Sequence, residues 1–303
     1  MKIAVNVLNF GPGATAENLR GWARFAEDTG FHAAMISDHV TVTPDVAEQY
    51  PAPFFDPFST LAYLAGITER IELGTSVAIL PYRSPLQTAR VMANIDQFSQ
   101  GRTILGVGVG WAKQEFDALG VPFERRGAIT DEYLTAIRRL WTEDVVSVDG
   151  EFASFTDVST EPRPVRIPPI WVGGSSRAAI RRAARHGTAW HPINAGLSWL
   201  REQGLPALRA EAEAHGAPVP GFAPRARFVI TDTPLADHDR LPCQGTLEQI
   251  RADLRDFADL GAEYLVLDTY RGTPDQLAKP EDDWRELELL ADRILDLEAE
   301  TVR

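Results

Sequence analysis

The feature that most constrains this chain is a regular alternation of short apolar runs with amphipathic segments, sustained from one end to the other. Lys2–Leu8 reads as a strand, and Thr15–Thr29 as a helix that sets Leu19, Trp22, Ala23 and Ala26 on one face and stops at Gly30. Further strands are expected at His32–Ser37, Ile71–Val77, Thr103–Gly108, Ile170–Val172, Thr188–His191, Ala226–Thr231 and Tyr264–Asp268. Helical spacing occupies Pro57–Glu69, Pro85–Ser99, Lys113–Leu119, Thr130–Trp141, Ser176–His186, Leu197–Ala214, Thr246–Leu260 and Asp282–Leu297. Val145–Val158, rich in β-branched residues around Asp149-Gly150, reads as a hairpin. Eight strand-then-helix units imply parallel pairing through right-handed crossovers. Such a set closes most naturally into an α/β fold of the (β/α)8 TIM-barrel type, with an open doubly wound sheet as the alternative. No repeat, low-complexity stretch or linker divides residues 1–303, so one domain is expected.

Composition narrows the class of partner. The formal net charge of -13 opposes a phosphate backbone, which argues against nucleic acid and requires any anionic ligand to be caught by a local device. The single cysteine, Cys243, excludes an intrachain disulfide. No window approaches the ~20 apolar residues that cross a bilayer, and the first residues lack a signal-peptide pattern. The expectation is a soluble cytoplasmic protein with a small-molecule substrate and no nucleic-acid or membrane partner.

In a barrel the reactive groups gather at the C-terminal ends of the strands. Strand two ends in Asp38-His39; a His there can act as general acid or base, or merely bind a loop. Neighbours on an extended chain point to opposite sides, so these two need not form a dyad. Strand four runs into Gly106, Gly108, Gly110 and Trp111, with Glu115 one helical turn on. Missing side chains there would let a flat ring lie against the backbone, while Trp111 and Glu115 border the same space. The sharpest signal is Gly173-Gly174-Ser175-Ser176-Arg177. Two glycines permit close approach, Ser175 or Ser176 caps the next helix, and its free amides face outward. Arg177, Arg181 and Arg182 add positive charge, so this reads as a phosphate site. Thr75, Ser76 and Val77 offer a second small, polar strand end. Trp22, Phe25, Trp141 and Trp284 read as core, and Glu281-Asp282-Asp283 as a solvated helix start. No cluster has metal-ligand spacing.

Together these motifs resemble the luciferase-like monooxygenase superfamily, in its F420-dependent oxidoreductase branch. The resemblance is carried by Ser37–Val40, Thr68–Val77, Ser99–Arg102, Gly106–Trp111 with Glu115-Phe116, Leu119–Phe123 with Arg126, and Pro169–Ser176 followed by Trp190-His191-Pro192. It implies a deazaflavin or flavin ring at the barrel mouth, coenzyme F420 first and FMN as the alternative. Gly173, Gly174, Ser175 and Ser176 would hold the cofactor phosphate, with Thr75, Ser76 and Val77 behind the ring and a cis peptide at Ser76–Val77. Asp38 and His39 would lie at the ring's polar edge, and Glu115 near its reactive face. The implied reaction is hydride transfer at deazaflavin C5 to or from a C=C, C=N or C=O/alcohol group. His39 would stabilise charge or act as acid, and Glu115 would exchange a proton with substrate. A homodimer, and a reductase that supplies reduced flavin or F420, are implied too. Thr88-Ala89-Arg90 departs from the family's usual Ala-Lys, and Asp232–Gln244 suggests a reduced lid. The other readings are an FMN monooxygenase, a barrel that binds flavin without turnover, and a phosphosugar-processing barrel. The aromatics Tyr50, Phe54 and Phe55 suggest a partly apolar substrate.

Overall fold

The computed structural model describes residues 1–236, 240–272, 277 and 279–303. Its frame is a set of parallel strands: β1 (Lys2–Val7), β2 (Ala33–Ile36), β3 (Glu72–Thr75), β4 (Thr103–Gly108), β5 (Ile170–Gly173) and β6 (Ala189–His191), then β7 in two pieces (Gly221–Phe222 and Arg225–Arg227), and β8 (Tyr264–Asp268). Each pairs with its neighbour in chain order, and β8 pairs with β1. The two pieces of β7 stand at opposite ends of that order, which closes the sheet on itself. On one side the amides of Gly221 and Ala223 donate to the carbonyls of Thr188 and Trp190, both at 2.9 Å. On the other, the amides of Glu263 and Val266 donate to Phe222 and Pro224 at 2.8 and 2.9 Å. Pro224 has no N–H to give, which is why β7 breaks there while its carbonyl still joins the ladder.

Among the described residues the longer helices on the outside are α1 (Ala16–Thr29), α2 (Pro57–Ala65), α3 (Pro85–Ser99), α4 (Arg126–Thr142), α5 (Arg177–His186), α6 (Leu205–Ala214), α7 (Leu247–Asp259) and α8 (Pro280–Ile294), and a short helix at Lys113–Leu119 follows β4. Their starts follow the local chemistry of the sequence. Thr15, Asp56, Ser84 and Ser176 each accept a hydrogen bond from an amide of the turn they open, and Thr246 forms a reciprocal capping box with Gln249. The barrel interior alternates small and large side chains: Ala4, Ala33, Ala189 and Ala223 leave room for Met35, Ile104, Trp171 and Val266. A larger apolar shell fills the space between strands and helices, with Trp22 and Trp141 buried in it.

Several expected elements are refined. The run Ile71–Val77 is not one strand: β3 ends at Thr75, Ser76–Val77 is a cis peptide, and Ala78–Ile79 then pairs with β4. Ala226–Thr231 is likewise divided, with Val229–Ile230 turning away to pair with Gln244–Gly245. The helix expected over Thr130–Trp141 begins earlier, at Arg126, and that over Pro57–Glu69 ends at Ala65 before Gly66. Leu197–Ala214 contains a π-helical turn at Leu200–Gly204. In the acidic start of α8, Glu281 and Asp282 are exposed, but Asp283 is half-buried and burial pushes its carboxyl up to about 7. The lid reading of Asp232–Gln244 falls partly on 237–239, outside the described residues. No helix among the described residues is long and apolar enough to cross a membrane.

The glycines of β4 stand where the barrel wall needs room. A Cβ on Gly106 would collide with the Thr75 carbonyl oxygen, and one on Gly108 would lie 2.6 Å from Val77 Cγ2. Both positions are empty so that the segment after β3 can bulge toward β4. Gly106→Ala is therefore expected to destabilise the protein by about 3 kcal/mol, because backbone rather than a flexible side chain must move. Urea unfolding followed by circular dichroism measures this, and an unchanged midpoint would show that the bulge can yield.

Candidate active site

A cavity of about 920 Å³ opens at the C-terminal mouth of the barrel and is lined from nearly every strand end. Strand register sets this up, since Val7, Ile36 and Thr75 stand level across β1, β2 and β3, and Gly173 pairs with His191 across β5 and β6.

On the β2 side, the loop from Asp38 to Asp56 is pinned by Asn9 of the β1 end. Its buried amide donates to the carbonyls of Ser37 (2.9 Å) and Phe55 (2.7 Å). That anchor delivers Tyr50 and Phe54 against His39, with ring centroids 5.5 and 5.3 Å away, and Trp111 closes from β4 at 5.7 Å. His39 Nδ1 meets Glu115 Oε2 at 2.7 Å, and Glu115 Oε1 accepts the amides of Val40 (2.6 Å) and Thr41 (3.0 Å). Burial alone would raise Glu115, but the His39 ring and these amides outweigh it, and its pKa is lowered. The buried Tyr82 phenol beside it is pushed up by burial and by the carboxylate. His39 Nε2 has no partner among the described residues and faces the cavity.

Asp38 turns the other way. Its carboxylate receives Arg83 through two N–H groups, at 2.7 and 2.9 Å, and the Ile79 amide at 2.8 Å. Burial raises Asp38, with Arg83 and the amide opposing.

The cavity floor is a buried polar chain. Arg225, on β7, bonds Asp268 of β8 at 2.7 Å and donates to the carbonyl and hydroxyl of Ser76. Ser76 Oγ lies 2.8 Å from His191 Nε2, and His191 Nδ1 meets the Ala223 carbonyl. A carbonyl only accepts, so Nδ1 carries the proton. Burial, with Arg225 nearby, holds His191 down at about 4, so the ring is neutral at pH 7 and Nε2 accepts from the Ser76 hydroxyl.

At the far end, Ser176 caps α5 and leaves the amides of Arg177 and Ala178 without intrahelical acceptors. Gly173, Gly174, Ser175 and Ser176 line this end, with Gly174 at φ 101° and its carbonyl held by Trp190 Nε1 at 2.8 Å. Arg182 is fixed by Asp131 at 2.6 Å and by the Gly127 carbonyl at 3.1 Å. Arg126 lines the same end, and its buried Nε has no partner among the described residues. An unpartnered guanidinium N–H beside free helix amides is a donor set that fits a phosphate.

Most of the expected residues meet in this cavity: Asp38, His39, Ser76, Val77, Gly108, Gly110, Trp111, and Gly173 through Ser176. Four placements change the roles expected of them. Arg177 points outward, its side chain 91% exposed and nearest Glu211 at 3.8 Å, because the first helical turn aims it away from the cap. Thr75 is sealed between strands, its hydroxyl bonded to the Gly106 carbonyl at 2.6 Å. Glu115 is fully buried behind His39, its carboxylate bonded to that ring and to two loop amides and absent from the cavity lining. Asp38 is occupied by Arg83 and is a positioning group. Reading the sequence alone missed Arg83, Arg225 and Asp268 and assigned His191 no role. The available signal was a charged residue at the end of an apolar strand, as at Asp268.

His191 makes stability depend on acid. In the unfolded chain it binds its proton near pH 6.5, and in the folded protein only near 4, so the unfolded state holds more protons between those values. Stability is complete above pH 6.5 and is lost as pH falls through that window, by about 3 kcal/mol. In thermal unfolding from pH 7 to 4, His191→Gln is expected to show a shallower fall in Tm than the parent; parallel curves would contradict this.

Comparison with known proteins fits the same geometry. The model of the luciferase-like monooxygenase family matches residues 1–241, which reach from β1 past β7. The F420-dependent glucose-6-phosphate dehydrogenase of Kineococcus radiotolerans is 32% identical over 212 residues, 68% of this chain and 60% of that one. The FMNH(2)-dependent dimethylsulfone monooxygenase of Pseudomonas putida is 31% identical over 203 residues, 65% and 54% of the two chains. The match spans 54% to 64% of the length of these and other curated relatives. The crystal structure of monooxygenase RslO1 from Streptomyces bottropensis superposes with a TM-score of 0.77 at 24% identity, over 96% of this chain and 98% of that one. With the family model covering most of the barrel and the fold matching throughout, the chain belongs to the luciferase-like monooxygenase family.

Proposed function

We propose that this protein is an oxidoreductase that works with coenzyme F420 on a small organic substrate bearing a C=C, C=N or C=O/alcohol group. One observation carries the reading: His39 presents Nε2 to the cavity while its other nitrogen is committed to a buried carboxylate. Bound there, the deazaflavin would supply hydride chemistry at its C5. The chain's own groups supply the remainder. Glu115 accepts from Nδ1–H of the neutral ring, which leaves Nε2 as the lone pair that takes a hydroxyl proton. Once that proton is taken, the same carboxylate faces an imidazolium and stabilises it. In the reverse direction Nε2 returns the proton to the developing alkoxide. Acid–base help of this kind is worth ~10²–10⁴-fold. The Gly173–Ser176 turn, Arg126 and Arg182 would hold the anionic tail, while Ser76, Val77, Gly108 and Gly110 would back the ring. Tyr50, Phe54 and Trp111 exclude water from the proton-transfer path.

A second reading, FMN-dependent monooxygenation, is favoured by the Pseudomonas relative, whose identity to this chain is close to that of the F420-dependent one. That route would draw reduced flavin from a partner reductase. A homodimer belongs to either proposal.

Titrating F420 and FMN against tryptophan fluorescence separates the two, with F420 expected to quench at the lower concentration; tighter FMN binding would favour the monooxygenase. With F420 bound, His39→Ala is expected to lower kcat by ~10²–10⁴-fold. Glu115→Gln, which removes charge but keeps shape, is expected to lower kcat by ~10–10²-fold and move the pH–rate profile. Near-normal turnover in both variants would remove the pair from the mechanism.

A further inference from the structure

We infer that the substrate half of the cavity is built for an uncharged, partly apolar alcohol or carbonyl compound, and that it rejects phosphorylated and carboxylated ones. This rests on the preceding reading, in which cofactor and substrate share the cavity.

The aromatic and ionic groups are segregated. Around His39 Nε2 stand Tyr50, Phe54 and Trp111, the last 40% exposed although it is among the largest apolar side chains of the protein. Tyr50 and Trp111 also face each other, with centroids 6.4 Å apart. This wall is held from behind, as Tyr50 packs on Phe10 and Tyr270 at 5.1 and 5.8 Å, and the Tyr270 hydroxyl donates to the Gln49 carbonyl. Besides Nε2, the polar tips it offers are uncharged: the Tyr50 hydroxyl, the Trp111 N–H and the exposed side-chain amide of Gln49.

Two of the charged residues that line the cavity are matched by partners. Asp38 is matched by Arg83, and Arg225 by Asp268 and Ser76. Arg182 and Arg126 lie at the α5 end, where Arg182 bonds Gly127, the neighbour of Arg126. Residues 237–239, 273–276 and 278, outside the description, include no Lys or Arg. An anionic substrate group against the aromatic wall would lose its hydration, while the cations that line the cavity are held by Asp268 and Asp131 or stand at the α5 end, in a protein of net charge -13. A cation would find no unpaired carboxylate there among the described residues. A neutral molecule with a single oxygen satisfies the wall: the oxygen on His39 Nε2, the apolar body on the rings.

The test is saturation-transfer NMR with cyclohexanone and with glucose 6-phosphate, on the protein with and without the cofactor that quenches its fluorescence. Cyclohexanone is expected to half-saturate at a concentration at least about tenfold below that of glucose 6-phosphate. Trp111→Ala is expected to weaken cyclohexanone by about fivefold or more through loss of the ring face. Gln49→Lys, at an exposed position, is expected to narrow or reverse the preference by adding the missing cation. Glucose 6-phosphate binding as tightly as cyclohexanone, or a folded Trp111→Ala with unchanged cyclohexanone affinity, would overturn the inference. Selective cyclohexanone binding without affinity for F420 would sink the cofactor reading alone; F420 binding without that selectivity would sink this one alone.

Discussion

Arg225 is a guanidinium only 6% exposed in the mouth of the barrel, and its partners come from two segments far from it in sequence. Asp268 on β8 neutralises it, Ser76 after β3 accepts from it, and Asp268 is itself held by the Asn6 side chain at 3.1 Å and the Tyr270 amide at 3.2 Å. Since β7 is the strand that closes the cylinder, the contact that seals the fold also sets the floor on which any ligand must rest. A buried ion pair contributes little net stability, yet loss of one partner leaves an uncompensated charge that costs about 3–5 kcal/mol. The interaction thus defines which arrangement of strands is tolerable more than it adds to the depth of the native minimum. Its reach to Ser76, and from there to His191, places a neutral imidazole and a hydroxyl at fixed orientation under the cavity.

The long-range field and the local donors pull in opposite directions. An excess of thirteen negative charges slows the approach of an anion. At the α5 end stand free amides, the Gly173–Ser176 turn, the unpartnered Nε of Arg126 and the braced Arg182, short-range donors for which screening by salt matters little. A ligand carrying a terminal phosphate would gain there what the surface denies it. An anion of similar charge offered to the His39 side gains nothing comparable. Selectivity between the two ends therefore follows from where donors are left open.

The fold was legible because a parallel barrel repeats one rule, a buried strand followed by an amphipathic helix, and each repeat leaves the same mark. Pro85–Ser99, Thr103–Gly108, Lys113–Leu119 and Tyr264–Asp268 are bounded as their patterns indicated. Errors gathered where tertiary contacts decide: the division of Ile71–Val77 depends on room made by Gly106 and Gly108 on another strand, and that of β7 on which strand each piece faces. The Gly173–Ser176 turn was readable since its chemistry is local, two glycines and a cap within a few residues. The floor was not, because Arg225, Asp268, Ser76 and His191 are far apart in sequence and acquire meaning only when β7 closes the ring. Arg177 was over-read for the opposite reason: proximity along the chain suggested charge at the site, and helix geometry turned it outward.

Asp38 and His39 show how a strand end can divide structural and chemical work between adjacent residues. Alternation along the extended chain sends Asp38 to Arg83 and the Ile79 amide, and His39 to Glu115 and the open cavity. Two buried carboxylates result, with opposite balances. Desolvation prevails at Asp38, which is raised, and donors prevail at Glu115, which is lowered by the imidazole and two loop amides. A carboxylate with a lowered pKa and no path to the cavity is a poor proton carrier but a firm acceptor for Nδ1–H. In the proposed reaction the proton would therefore move at Nε2 of the His39 ring. Fixing His39 at the end of the second strand thus requires the short helix Lys113–Leu119, which follows β4, to supply its anchor, which is why Trp111 and Glu115 arrive together from the same short segment.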